Sequence, residues 1–87
     1  MAWKINFTET ALKQLKKLDK SVAKKITTYL KERVAPLDDI QMIGKPLLSD
    51  LTGLWRFRVE DYRIICEVKK SELTVLVLRL GHRKDIY

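Results

Sequence analysis

The chain has 87 residues, 46% hydrophobic and 33% charged, which supplies one modest core and sets it apart from disordered tails. Lysine and arginine number 18 against 11 acids, and the resulting net charge of +7 favours anionic partners, nucleic acid or acidic protein. No apolar run approaches the ~20 residues of a spanning helix, and the opening MAWKINF lacks a signal-peptide pattern, so one cytosolic domain over 1–87 is expected, with no membrane partner.

Trp3, Ile5 and Phe7 alternate with Lys4 and Asn6, the pattern of a short half-buried strand. Thr8 stands where an N-cap belongs, Glu9 falls in the first turn, and Ala11, Leu12, Leu15 and Leu18 are expected on one face of a first helix. Val22, Ile26, Tyr29, Leu30 and Val34 mark a second helix that ends near Ala35, ahead of Pro36. The short break at 19–21 makes the two an antiparallel helical hairpin. Its outer face carries Lys13, Lys16, Lys17, Lys20, Lys24 and Lys25, which suits either a track for phosphates or a plain solvated face. Residues 37–53 read as loop, punctuated by Gly44, Pro46 and Gly53, with Lys45 its one base. Three strands follow, LWRFRV, YRIICEV and ELTVLVLRL, separated by Glu60-Asp61 and by the polar stretch 69–71. The expected fold is therefore α+β: a short N-terminal strand, a helical hairpin, then a three-stranded antiparallel meander.

Strand alternation puts Arg56 and Arg58 on one face and Trp55, Phe57 and Val59 on the other. A two-residue turn at Glu60-Asp61 sets Val59 opposite Tyr62, Arg58 opposite Arg63, Phe57 opposite Ile64 and Arg56 opposite Ile65. Directly opposed residues share a face, so Arg56, Arg58 and Arg63 converge. A tight turn at Lys70-Ser71 would pair Cys66 with Val75 and Ile64 with Val77, building an apolar face for the helices. Like charges directly opposed destabilise a strand pair unless an anion lies between them. Surface salt bridges from Glu60, Asp61 and Glu67 are one source of relief. A phosphate held by two guanidinium forks is the other. The third strand is expected to end at Leu80, with Gly81 letting the chain turn so that His82, Arg83 and Tyr87 reach the arginines.

The resulting set is Arg56, Arg58, Arg63, His82, Arg83 and Tyr87. It has no carboxylate pair for glycoside chemistry, and one histidine with one cysteine offers no metal-ligand spacing, so neither a metal nor another cofactor is expected. Cys66, within IICEV, reads as a small buried apolar residue. The set suits phosphoryl chemistry on RNA, where the substrate's 2′-OH is the nucleophile and the protein stabilises charge.

The segment LWRFRVEDYRI together with HRKDIY resembles the RelE/ParE toxin superfamily, and within it the RelE branch, over nearly the whole chain. The resemblance implies the RelE-like microbial RNase fold and a ribosome-dependent mRNA interferase, the toxin of a toxin-antitoxin pair. It implies cleavage in the ribosomal A site by 2′-OH attack on the adjacent phosphate, without cofactor. A RelB-like antitoxin, the ribosome with its mRNA, and operator DNA reached only through the antitoxin are the implied partners. By position, Arg63 resembles the phosphate-stabilising arginine of the family, Arg83 the arginine assigned to leaving-group protonation or transition-state charge, and Tyr87 the tyrosine that contacts substrate. Arg56 and Arg58 stand where well-studied members have lysines; with Lys45 and Lys84 they are expected to bind RNA. Arginine stays protonated and is a poor general base. His82 is the side chain best suited to that task by chemistry, beside a plain structural role. Two other readings share the fold: a ParE-like toxin that inhibits gyrase without cleavage, and a non-catalytic nucleic-acid-binding module.

Overall fold

Strand β1, Lys4–Phe7, begins where Lys and Asn alternate with Ile and Phe, and only its even positions are exposed. The computed structural model describes residues 3–36, 45–46 and 54–84, giving the main chain alone for 45, 46 and 70. Helix α1, Glu9–Lys17, starts at Thr8, whose hydroxyl accepts from the Ala11 N–H at 3.1 Å. Glu9 in its first turn and Lys16 and Lys17 in its last complement the helix dipole. At about 100° per residue, Ala11, Gln14, Leu15 and Leu18 share one side while Leu12 lies a quarter-turn away. Leu12 is accordingly 42% exposed, a correction to its expected place on the buried face. Gln14 takes the inner position and its Oε1 accepts from the Leu80 N–H at 2.7 Å.

Helix α2, Lys20–Tyr29, runs straight into a π-helical turn, Leu30–Val34, closed by the Ala35 N–H donating to the Leu30 carbonyl at 2.9 Å. In an α-helix, positions four apart drift about 40° round the axis. The wider turn absorbs that drift, so Ile26, Leu30 and Val34 are all buried. Ala35 then receives the Trp3 N–H at 2.6 Å, tying the end of the hairpin to the start of β1.

The sheet comprises β1, β2 (Lys45–Pro46), β3 (Leu54–Val59), β4 (Tyr62–Lys69) and β5 (Thr74–His82), in the order β1-β5-β4-β3-β2. The expected meander is β3-β4-β5. Two additions complete the sheet: β1 pairs parallel with β5, and β2, inside the stretch read as loop, sets Lys45 opposite Arg56. The β3–β4 register is the expected one, Arg58 opposite Arg63 and Phe57 opposite Ile64. The β4–β5 register is not. A 3-10 turn at Lys70–Glu72, followed by Leu73 at φ 48°, replaces the tight turn, so Cys66 faces Val77 and Ile64 faces Leu80.

Between those pairs β5 holds one extra residue. Cys66 pairs with Val77 and Ile65 with Arg79, leaving Leu78 in a bulge. The alternation of Val75 and Val77 would otherwise carry Arg79 into the core. With the bulge, Leu80 is buried and Arg79 is exposed. Two polar groups there find partners at the start and on the inner side of α1: the Thr8 hydroxyl donates to the Leu78 carbonyl at 2.7 Å, and Gln14 takes the Leu80 N–H.

Helix α1 packs on β5 and α2 on β3, where the Tyr29 ring meets Phe57 edge-on at 6.5 Å. The main apolar cluster, including Ile26, Leu30, Phe57, Ile64, Val77 and Leu80, fills the space between them. The opposite face of the sheet carries the arginines.

Thr8→Ala removes both the helix cap and the bulge bond. It is expected to lower the unfolding free energy by about 2 kcal/mol, roughly half from each. Thr8→Ser should recover most of that loss, and urea midpoints at constant m-value measure both.

Candidate nucleic-acid interface

Two rows of opposed residues cross the face of the sheet opposite α1 and α2. One is Arg58, Arg63, Gly81; the other is Lys45, Arg56, Ile65, Arg79. Arg58 and Arg79 are exposed, Arg56 and Arg63 half-buried. Ile65, between Arg56 and Arg79, is 2% exposed yet stands outside the main apolar cluster. Gly81 adds no side chain to its row, so bare main chain flanks Arg63.

The Arg58–Arg63 repulsion is met by the turn. Arg58 Nε donates to the Glu60 carbonyl at 3.3 Å, and Arg63 Nη1 reaches the same oxygen at 3.5 Å and the Tyr62 carbonyl at 3.5 Å. These are long bonds, and each guanidinium has five N–H donors, so most donors remain for an anion. Glu60 adopts φ 54°, a conformation costing a non-glycine residue about 1 kcal/mol. Its carboxylate does not serve the arginines: it pairs with Lys25 Nζ of α2 at 3.0 Å, both side chains more than half exposed. A carbonyl dipole, rather than the surface-acid alternative, thus holds the two cations.

The two ends of the expected set are placed differently. Strand β5 continues through His82, so the chain turns at Arg83, later than expected. The Arg83 N–H donates to the Asp61 carbonyl at 2.8 Å, which fixes the exposed Arg83 and Lys84 beside the β3–β4 turn. His82 pairs with Tyr62, their rings edge-on at 5.5 Å, on the face that holds Val59 and the helices. Its Nδ1 accepts from the Lys84 N–H at 3.2 Å. The structure therefore brings His82 to Tyr62 and the turn, not to Arg58 and Arg63. Tyr87 lies outside the described residues, as does the Lys45 side chain.

Arg79 is the member of this face that strand counting missed. A tight second turn would have put it opposite Tyr62, on the helix side. The signal in the sequence was the conflict in VLVLRL: simple alternation after Val75 and Val77 buries an arginine and exposes Leu80, so an extra residue is needed before Arg79.

A cleft of about 570 Å³ lies on the other side of the β3–β4 turn, lined by Lys24, Lys25, Tyr29, Arg33 and Glu60 among others. Burial raises the Tyr29 phenol, with Arg33 pulling the other way.

A profile for the ParE toxin of type II toxin-antitoxin systems (parDE) matches residues 5–87. The chain belongs to the RelE/ParE toxin superfamily, in its RelE-like branch. Toxin RelG of Mycobacterium tuberculosis is 32% identical across 100% of this chain and 98% of its own, and Toxin RelE of the same organism is 27% identical across 95% and 84%. The RelBE2 toxin-antitoxin complex of M. tuberculosis superposes at a TM-score of 0.84, with 27% identity over 98% of this chain and 95% of its counterpart. Isolated RelE toxin of E. coli, at 22% identity, shares the fold at a TM-score of 0.75, covering 93% of this chain and 84% of its own. This RelE-like toxin thus has the α+β fold its sequence implied.

Cys66 has no part in the face. It is fully buried and unpaired, and burial pushes its thiol far above the ordinary range. Unfolded, a thiol ionises near ~8.5; folded, Cys66 stays neutral. The stability this represents is complete below pH ~8.5 and is lost as pH rises beyond it, by up to about 1.4 kcal/mol per unit. Urea midpoints between pH 8 and 10 should fall for the native toxin and fall less for Cys66→Ala, the pH range being set by the ~8.5 of the unfolded thiol.

Proposed function

We propose that this RelE-like toxin is a ribosome-dependent endoribonuclease, cutting mRNA in the A site without a metal. The observation that carries the proposal is the Arg58–Arg63 pair, two cations oriented on the face opposite α1 and α2, with Arg83 anchored at the adjoining turn. A phosphodiester fits between such guanidinium forks. In the reaction the 2′-oxygen attacks the neighbouring phosphorus in line with the departing 5′-oxygen. The P–O5′ bond breaks as the P–O2′ bond forms, leaving a 2′,3′-cyclic phosphate and a 5′-hydroxyl. Arg58 and Arg63 stabilise the negative charge that accumulates on the non-bridging oxygens. Arg83 stabilises the leaving oxygen, which takes up a proton, and Tyr87 contacts the substrate base.

Neither Arg56 nor Arg58 can accept the 2′-OH proton at neutral pH, because guanidinium remains protonated. That proton passes to water or to a phosphate oxygen. Arg56, Lys45 and Lys84 contribute RNA-phosphate contacts, while His82, engaged with Tyr62 and the Lys84 N–H, orders the turn that presents Arg83.

The neighbours that exist as complexes suggest the partner: the RelBE2 complex of M. tuberculosis is a toxin-antitoxin complex, and the Methanococcus jannaschii structure is a RelB-RelE antitoxin-toxin complex. A RelB-like antitoxin would cover the basic face of this chain and carry it to operator DNA. No helix among the described residues is long and apolar enough to cross a membrane, consistent with a cytosolic encounter with ribosomes.

Primer extension on ribosomes programmed with message tests the proposal. Cuts at the A-site codon are expected, falling about 100-fold or more in Arg63→Ala and Arg83→Ala. Intact message alongside inhibited gyrase supercoiling would overturn it in favour of a ParE-like mode.

A further inference from the structure

The bulge at Leu78 is held by two side chains reaching from α1, Thr8 and Gln14, and it has one consequence for the open face: it adds Arg79. Bulges re-aim side chains, and this one turns an arginine outward beside the row that holds Arg58 and Arg63. Arg79 is exposed, and among the described residues no acid or carbonyl bonds to its guanidinium. Since Arg63 pairs with Gly81, Arg79 is its diagonal neighbour, about 7–8 Å away. Arg58 and Arg63 are directly opposed and bracket one position. Arg79 stands one row further along the strands, a step of about 6.7 Å, similar to the spacing of successive phosphates in an extended nucleotide chain. Between Arg79 and Arg56 lies uncharged, buried Ile65, which leaves the second row able to take an anion of its own.

We propose that Arg79 binds the phosphate adjacent to the one held by Arg58 and Arg63, so that the sheet grips two successive phosphates of single-stranded RNA. The assignment rests on the RNA-cleaving reading above and extends its site by one nucleotide. Arg79 acts as a binding residue, not a catalytic one. Its charge supplies affinity equally to ground and transition states, so its loss raises KM and leaves kcat nearly unchanged.

The test uses the full chain and a fluorescent RNA oligonucleotide with 2′-deoxyribose at the scissile position, so that binding is read without cleavage. Dissociation constants are measured against salt for the native toxin, Arg79→Ala, Arg79→Lys, Arg63→Ala and Lys31→Ala, the last removing an equal charge from an exposed helical position off this face. Each phosphate contact contributes about 0.7 to the log–log salt slope for single strands. Arg79→Ala should weaken binding several-fold and reduce the slope by about 0.7, Arg79→Lys should restore the slope, and Lys31→Ala should change neither. Weakened binding in Arg63→Ala with an unchanged slope in Arg79→Ala overturns the Arg79 assignment alone. Equal losses in Arg79→Ala and Lys31→Ala overturn it as well, by reducing the effect to net charge. Unchanged binding in both Arg63→Ala and Arg79→Ala overturns the two-phosphate grip, whereas the RNA-cleaving reading itself falls only if the A-site cuts on programmed ribosomes are absent.

Discussion

The two hydrogen bonds from helix α1 to the bulge in β5 decide which face every later residue of that strand occupies. Thr8 and Gln14 lie near the start of the chain; Leu78 and Leu80 lie near its end. A strand has a period of two, so one inserted residue inverts all that follow. Without the insertion, Leu80 would leave the core and Arg79 would enter it, a buried unpaired cation costing several kcal/mol. With it, the core gains Leu80, the open face gains Arg79, and His82 is sent to Tyr62. Two main-chain groups at the bulge, the Leu78 carbonyl and the Leu80 N–H, find side-chain partners on Thr8 and Gln14, which offsets part of what the inversion costs.

Electrostatics gives the open face a different character. A pair of directly opposed arginines is unfavourable in isolation, and the free toxin relieves it with a carbonyl dipole rather than a carboxylate. The difference matters for an anion-binding surface. A carboxylate between Arg58 and Arg63 would neutralise them and compete with phosphate, whereas long bonds to the Glu60 carbonyl orient the forks and keep their charge. The Glu60 side chain meanwhile pairs with Lys25 across the turn, an exposed contact of small energetic weight.

Cations on one face are supported by the apolar packing on the other. Helix α2, through its π-helical end, keeps Ile26, Leu30 and Val34 against the sheet, and Phe57, alternating with Arg56 and Arg58 in β3, packs beneath Tyr29. One strand therefore serves core and interface at once. This division makes Cys66, on the buried side, a packing residue whose thiol is kept neutral by its surroundings.

Several parts of the fold follow from local pattern along the chain. Alternation defined the two faces of β3, the two-residue spacing at Glu60-Asp61 fixed the Arg58–Arg63 register, and Thr8 marked the start of α1. The RelE/ParE resemblance was legible in LWRFRVEDYRI and HRKDIY. Features that depend on long-range bonds emerge from the packed molecule alone. The register of β5, the inward place of a half-buried Gln14 where Leu12 was expected, the π-helical turn and the two-residue β2 edge all answer to packing between segments far apart in the chain. The placements of Arg79 and His82 follow from the bulge, and the bulge exists because helix α1 satisfies it from about 70 residues away along the chain. Periodicity along one strand carries no record of that partner.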